Sequence, residues 1–139
     1  METEPLIIDA YVRSGKVRLV YRHLVQLGDG SQATGEGSEC AADQGKFWEM
    51  RDALYRRQGE VYSDPQVAMS SFAAELELNE ADFTSCLSSG KQRQFVLDDY
   101  AAAQNEGVRS RPEFRLNDER LVGALPFRDF QQRIDALAK

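Results

Sequence analysis

The spacing of apolar residues along the chain predicts a mostly helical protein. An apolar stripe at helical spacing begins the chain and runs to Gly15, which can end a helix in the left-handed conformation. The members of this stripe are Leu6, Ile7, Ala10 and Tyr11. The same spacing predicts helices over these later segments: 38–54 with a break or bend at Gly45, 63–76, 79–90, 91–107 and 127–137.

Capping residues mark the ends of several predicted helices. Asp64 stands directly before Pro65, an arrangement typical of a helix start. Asn79 can cap the next helix, which Gly90 can end. Gly107 is placed to end the helix after that one.

The pattern changes in three other regions. Val17–Tyr21 is rich in β-forming residues, places Val17, Leu19 and Tyr21 on one face, and predicts a strand. Glu113–Leu116 and Arg120–Val122 predict two strands joined at Asn117–Asp118, and both turn residues tolerate positive φ. We therefore expect a tight β-hairpin near the end of the chain. The stretch Gly28–Gly37 is predicted to be a loop.

Composition limits the classes of partner. The 139 residues suffice for one domain with its own core. With 17 basic and 23 acidic residues the formal charge is -6, and no basic stripe interleaves with aromatic residues, so nucleic acid is not an expected partner. No apolar run approaches the roughly 20 residues of a membrane-spanning helix, so no membrane span and no signal peptide are predicted.

The two cysteines and the single histidine bear on catalytic and metal chemistry. Cys40 and Cys86 are 46 positions apart, too far for a Cys-x-x-Cys redox motif. Together with His23 they are fewer than the four ligands of a structural zinc site. We expect no metal site, and we expect His23 to be a surface or strand-end residue.

Gly30 and Gly35 have the spacing of the glycines in a phosphate-binding loop. Glu36 and Gly37 follow where that loop needs Lys and Ser or Thr, and the Glu36 carboxylate repels phosphate. The sequence therefore predicts a flexible loop here, and it predicts no cofactor.

The order helix, strand, several helices, β-hairpin and helix is similar to a known arrangement. Local sequence adds to the likeness in these segments: 15–22, 45–49, 52–54, 82–83, 86–87, 89–91, 107–108, Pro112, Phe114, Asn117, 121–124 and Pro126. In this order and spacing they resemble the DsbA-like, thioredoxin-fold disulfide oxidoreductases over nearly the whole chain. The resemblance implies an α/β, thioredoxin-like (DsbA-type) fold that is mostly helical. It implies one domain, 1–139, with a helical insertion over about residues 31–106.

The resemblance also implies a first strand leading to a Cys-x-x-Cys at a helix start, where the helix dipole favours the thiolate. The printed sequence has neither, so we expect a truncated, redox-inactive chain. A late start codon, an engineered cut and natural loss all remain open as its cause. The complete protein is expected to exchange disulfides with protein or peptide substrates outside the cytoplasm.

The alternative is a non-catalytic thioredoxin-like module for binding or oligomerisation, so whether the chain is an enzyme stays open.

By resemblance, Pro112 is a cis-proline that faces the catalytic cysteines, and Arg111 and Pro112 bind substrate. Relatives usually carry small residues and Thr before this proline. Here Arg109 and Arg111 precede it and Glu113 follows it. These charged residues predict either a preference for acidic peptide segments or no peptide recognition. Without the resemblance, Pro112 merely starts a strand.

Some relatives carry a structural disulfide between comparable helices, which implies a Cys40–Cys86 bridge here. Two buried free thiols and a redox-active pair are the alternatives.

The absence of a central strand predicts two open inner sheet edges beside the first apolar stripe, and such edges favour self-association. We therefore expect a homodimer, with a monomer of rearranged sheet as the alternative.

Overall fold

The computed structural model describes residues 2–138, which form two compact units. We call residues 22–103 the helical unit, and residues 2–21 with 104–138 the hairpin unit. No helix among the described residues is long and apolar enough to cross a membrane.

Six helices build most of the helical unit. They are α2 (Asp29–Ala42), α3 (Phe47–Arg56), α4 (Gln58–Ser63), α5 (Pro65–Glu75), α6 (Glu80–Ser89) and α7 (Arg93–Asn105), which continues past residue 103. The core of this unit consists of Cys40, Ala41, Met50, Ala68, Met69, Phe72, Ala73, Leu78, Phe83 and Cys86.

The predicted caps of two helices are confirmed. The Asp64 carboxylate accepts hydrogen bonds from the backbone N–H groups of Gln66 and Val67, and Pro65 follows it at the first position of α5. The Asn79 side chain accepts from the backbone N–H of Asp82, and α6 ends at Gly90, whose φ is +64°.

The loop predicted for Gly28–Gly37 is wrong, since α2 begins at Asp29 and includes most of that stretch. The glycines serve close packing rather than a turn. A Cβ on Gly37 would collide with the Met69 sulfur, and a Cβ on Gly35 would lie 3.1 Å from Val96 Cγ1. Gly30 and Gly35 are therefore helical residues, and the prediction of a flexible loop that contains them is also wrong.

The hairpin unit begins with α1 (Thr3–Ile7), which continues as a π-helical turn over Ile8–Val12. Its predicted hairpin is confirmed: β1 (Glu113–Leu116) pairs antiparallel with β2 (Glu119–Val122). The chain then forms α8 (Phe127–Leu137), as the apolar spacing predicts.

The core of the hairpin unit lies among α1, the hairpin and α8. Its buried members are Ile7, Tyr11, Leu121, Phe130 and Ile134. Partly buried side chains pack against them, namely Val17, Phe114, Leu116, Leu125 and Phe127. The phenol of Tyr11 donates a hydrogen bond to Asp135 Oδ1 at 2.9 Å and so links α1 to α8.

The strand predicted for Val17–Tyr21 is wrong. The side chains at 17, 19 and 21 are more buried than those at 18 and 20, so the alternation that suggested a strand is present. A strand also needs a hydrogen-bonded neighbour, and the sheet found within residues 2–138 contains only β1 and β2. Direct pairing between this segment and the hairpin is therefore not seen in the described part of the chain.

Candidate functional site

The segment that enters the hairpin contains the predicted substrate-binding residues. The peptide bond between Arg111 and Pro112 is cis, and β1 begins at the next residue, Glu113. The Pro112 carbonyl accepts a hydrogen bond from the backbone N–H of Gly123 at 2.9 Å. A backbone hydrogen bond therefore joins the proline to the residue that directly follows the hairpin.

The side chain of Arg120 on β2 also forms hydrogen bonds with this segment. Its guanidinium donates to the Gly107 carbonyl at 2.7 Å, to the Glu106 carbonyl at 3.4 Å and to Glu113 Oε2 at 2.8 Å, and its Nε forms an ion pair with Glu113 Oε1 at 2.6 Å. Arg115 adds an ion pair with the Glu106 carboxylate at 2.8 Å. Charged hydrogen bonds of this kind fix geometry more firmly than neutral ones. The chain from Glu106 to Glu113 is thus held at both of its ends.

Between these fixed ends, the residues from Arg109 to Pro112 are exposed. Below them, the ring of Phe114 on β1 packs edge to face against Phe130 on α8, with 4.9 Å between ring centroids. The hairpin unit therefore presents an exposed segment that leads into a strand anchored in its core. We call residues 109–112 the proline segment.

The disulfide lies in the other unit. Cys40 on α2 and Cys86 on α6 are joined, with their Cα atoms 5.8 Å apart. Cys40 is 1% exposed and Cys86 is 9% exposed. The bridge therefore sits in the core of the helical unit, where it ties α2 to α6.

A small polar cluster lies beside the disulfide. Asp43 Oδ2 is 2.6 Å from Lys91 Nζ, and Asp43 Oδ1 accepts a hydrogen bond from Gln92 Nε2 at 3.0 Å. The hydrogen bond from Lys91 lowers the pKa of Asp43 below its ordinary value of 3.8, against a smaller opposing effect of burial. The cluster ties the end of α2 to the segment before α7.

This cluster predicts a pH-dependent contribution to stability. Because folding lowers the pKa of Asp43, its contribution is complete above about pH 5 and is lost as pH falls through the folded-state pKa. We expect Asp43→Asn to lower the free energy of unfolding by about 0.5–1 kcal/mol at pH 7, a small value because the carboxylate is 36% exposed. Urea titrations near pH 7 and near pH 2.5 measure the difference, which should be smaller at the lower pH.

The matched control is Asp98→Asn, which removes an exposed carboxylate that accepts a hydrogen bond from neutral Gln94. It should change stability less at pH 7. An Asp43→Asn effect of the same size at both pH values would contradict the assignment.

The prediction that His23 is a surface or strand-end residue is wrong, because His23 is 3% exposed within the helical unit and the residues before it do not form a strand. Its Nε2 is 2.7 Å from Glu39 Oε1. The rings of Phe47 and Phe95 contact it edge to face. Its backbone N–H donates to the buried Asp99 carboxylate at 3.0 Å. Tertiary contacts explain its burial, and no signal local to His23 predicts them.

His23 is not part of a metal site in the described structure. Within residues 2–138, no group of three or more His, Cys, Asp or Glu side chains is arranged to hold a metal ion. The buried histidine joins the segment after residue 21 to α2 and α7. Its role there is to hold the helical unit together.

Known relatives are similar to this chain over most of its length. The Na(+)/H(+) antiporter NhaA 1 of Salinispora arenicola is 29% identical over 125 residues, which cover 88% of this chain and 19% of the antiporter. NhaA 3 of Salinispora tropica is 31% identical over 124 residues, with the same two shares. NhaA of Herminiimonas arsenicoxydans is 32% identical over 120 residues, or 86% of this chain and 19% of the antiporter. The chain thus spans 19% of the length of these curated relatives.

A thioredoxin family model matches residues 2–136. The match agrees with the mostly helical structure and its single described hairpin, and it confirms the predicted thioredoxin-like fold. Since the match covers nearly all of the sequence, this protein belongs to the thioredoxin family.

Proposed function

We propose that the chain is a DsbA-type thiol:disulfide oxidoreductase domain of a longer protein, and that these 139 residues do not catalyse exchange alone. One observation carries the second half of the proposal: the only two cysteines in the sequence are bonded to each other inside the helical unit. Family membership supports the first half. We retain as part of the proposal a single domain, 1–139, with its helical insertion over about residues 31–106.

Disulfide exchange begins when a thiolate attacks a disulfide sulfur and forms a mixed disulfide. The printed sequence has no third cysteine to supply that thiolate while the Cys40–Cys86 bond is intact. Both sulfurs belong to residues buried in the helical core. In this proposal the bridge is structural, and exchange requires a thiol pair from residues other than these 139.

The hairpin unit supplies the substrate side of the proposed site. Arg111 and Pro112 are the residues assigned to peptide recognition by the family resemblance. Their segment is exposed, while Arg120 and the Gly123 N–H hold its flanks in place. A segment fixed in this way is preorganised to meet an extended peptide, because little ordering is needed on binding.

The proposal predicts no catalytic turnover by the 139-residue chain. In an insulin reduction assay with dithiothreitol, and in an oxidation assay with a reduced dithiol peptide, the rate should equal that of the control without protein. The reason is the lack of an attacking thiolate. The matched variant, Cys40→Ala with Cys86→Ala, should give the same rate. Substantial turnover that the double substitution abolishes would contradict the prediction.

The second candidate is a non-catalytic thioredoxin-like module for binding or oligomerisation. The curated relatives favour it, since their names describe antiporters and the chain matches only 19% of their length. The coding sequence that adjoins the first codon separates the two candidates. A strand pattern followed by Cys-x-x-Cys there would support the oxidoreductase, and an open reading frame without cysteines would support the module.

Self-association is a further prediction of the proposal. Within residues 2–138, β1 is hydrogen-bonded to β2 and to no other strand, so each strand of the hairpin has one open edge. Unpaired strand edges favour pairing with another chain. Light scattering at micromolar concentration should give about twice the monomer mass of 15.7 kDa. A mass near 15.7 kDa would show that the chain is a monomer instead.

A further inference from the structure

A cavity of about 340 Å³ lies beside the disulfide of the helical unit. Cys40 and Cys86 both line it, and the second of them is the more accessible residue, 9% exposed against 1%. The volume is within the range of cavities that hold small molecules. The disulfide is therefore buried in the core on one side and open to a small molecule on the side of the cavity.

The charged side chains that line this cavity are Asp43, Asp82 and Lys91, so negative charge exceeds positive charge by one. Asp43 Oδ2 lies 3.9 Å from Cys86 Sγ and 2.6 Å from Lys91 Nζ. The rest of the helical unit has the same sign, because residues 22–103 contain seven Lys and Arg and fourteen Asp and Glu. An anion that approaches the disulfide through the cavity is therefore repelled.

The species that attacks a disulfide is a thiolate, which is itself an anion. A positive group on the same small molecule offsets the repulsion, since the charge that enters the cavity is then zero. We propose that Cys86 is the site at which small aminothiols, which combine an ammonium group with a thiol, react with the folded chain. The proposed function assigns the bridge a structural role alone, so this reactivity is additional to it.

The reaction consists of two exchanges. The sulfur of an aminothiolate attacks Cys86 Sγ, the bond to Cys40 breaks, and Cys40 leaves as a thiolate that takes a proton from water. A second aminothiolate then attacks the sulfur of the aminothiol now joined to Cys86. That sulfur leaves in a small disulfide, and Cys86 leaves as a thiolate that takes a proton. Two thiols are thus oxidised for each protein disulfide reduced, and the chain reacts once without catalytic turnover.

Reduction of the whole oxidised 139-residue chain by three thiols tests the proposal. The thiols are cysteamine, mercaptoethanol and mercaptoethanesulfonate, which carry a positive, a neutral and a negative group. Each rate is divided by the thiolate concentration and by the rate of the same thiol with an uncharged small disulfide, which removes differences of intrinsic reactivity. At low salt we expect cysteamine to react about threefold faster than mercaptoethanol, and mercaptoethanesulfonate about threefold more slowly. The differences should shrink as salt rises.

Two variants change the charge of the cavity in opposite directions. Asp82→Asn leaves Asp43 and Lys91 to balance each other, so the three normalised rates should become nearly equal. Lys91→Gln leaves two negative charges and should raise the preference for cysteamine over mercaptoethanol to about tenfold. The matched control is Asp98→Asn, which removes an exposed carboxylate of the helical unit outside the cavity lining and should keep the wild-type preference. Circular dichroism verifies that each variant is folded.

Two further measurements distinguish reaction in the folded chain from reaction after unfolding. Acid quenching and fragmentation in a mass spectrometer should locate the first cysteamine adduct on Cys86. Urea well below the unfolding transition should raise the rate less than about twofold, because reaction in the cavity does not need the chain to open.

Equal normalised rates for the three thiols, a first adduct on Cys40 or a steep rise of the rate with urea would each overturn the proposal. The proposed function stands in all of these cases, because neither a peptide nor catalytic turnover takes part in the measurements.

Discussion

Replacing both Cys40 and Cys86 by alanine is expected to lower the free energy of unfolding by about 4 kcal/mol. The bridge closes a sequence separation of 46 residues, and closing a loop of that length restricts the unfolded chain by about this amount in the chain-entropy model. Alanine is the suitable replacement because both side chains lie in an apolar core, where a serine hydroxyl would need a partner.

Denaturant unfolding of the oxidised wild-type chain and of the double variant measures this loss. The wild-type chain in excess dithiothreitol is the matched control, and it should unfold close to the variant. A loss below about 1 kcal/mol would mean that the bridge does not stabilise the helical unit as described. Since the bridge is proposed to be structural, the variant should be less stable without any change in exchange rate.

Phe130→Ala is expected to produce the second large loss, about 3–5 kcal/mol. Phe130 is 4% exposed, and its ring packs against Phe114 on β1. Truncation leaves a cavity directly under the strand that follows Pro112. Denaturant unfolding measures the loss, and hydrogen exchange should show faster exchange at the amides of β1 and β2.

Leu137→Ala is the matched control for this substitution, because Leu137 lies on the same helix and is 56% exposed. It should cost less than about 0.5 kcal/mol, as surface substitutions usually do. Equal losses for Phe130→Ala and Leu137→Ala would contradict the assignment of Phe130 to the core of the hairpin unit.

Local signals in the sequence account for the parts of the fold that were predicted correctly. Asp64 and Asn79 form hydrogen bonds within three residues of themselves, and Asn117 takes the positive φ that its hairpin turn needs. These structures depend on neighbouring residues alone, so a pattern along the chain is enough to find them.

The parts that were wrong depend on distant contacts. The glycines of α2 suggested a loop, but Gly35 and Gly37 permit close contact with Val96 and Met69. The strand pattern of residues 17–21 lacks a paired neighbour in the described structure. Such outcomes follow from tertiary packing, which overrides local propensity.

The candidate site was only partly accessible from sequence. Spacing alone left the pairing of Cys40 and Cys86 open, and the family resemblance implied it. The contacts that the Arg120 side chain makes were not predicted, although the register of the hairpin indicates one of them. Glu113 lies opposite Val122, which puts Arg120 in the diagonal position on the same pair of strands, within reach of a long side chain.

The most direct test of the central claim is a single-turnover exchange experiment. The oxidised chain is mixed with one equivalent of a reduced dithiol peptide, the thiols are trapped by alkylation, and both molecules are weighed by mass spectrometry. We predict that the Cys40–Cys86 bond stays intact and that the peptide stays reduced. Equal amounts of doubly alkylated chain and oxidised peptide would contradict the claim that this disulfide is structural.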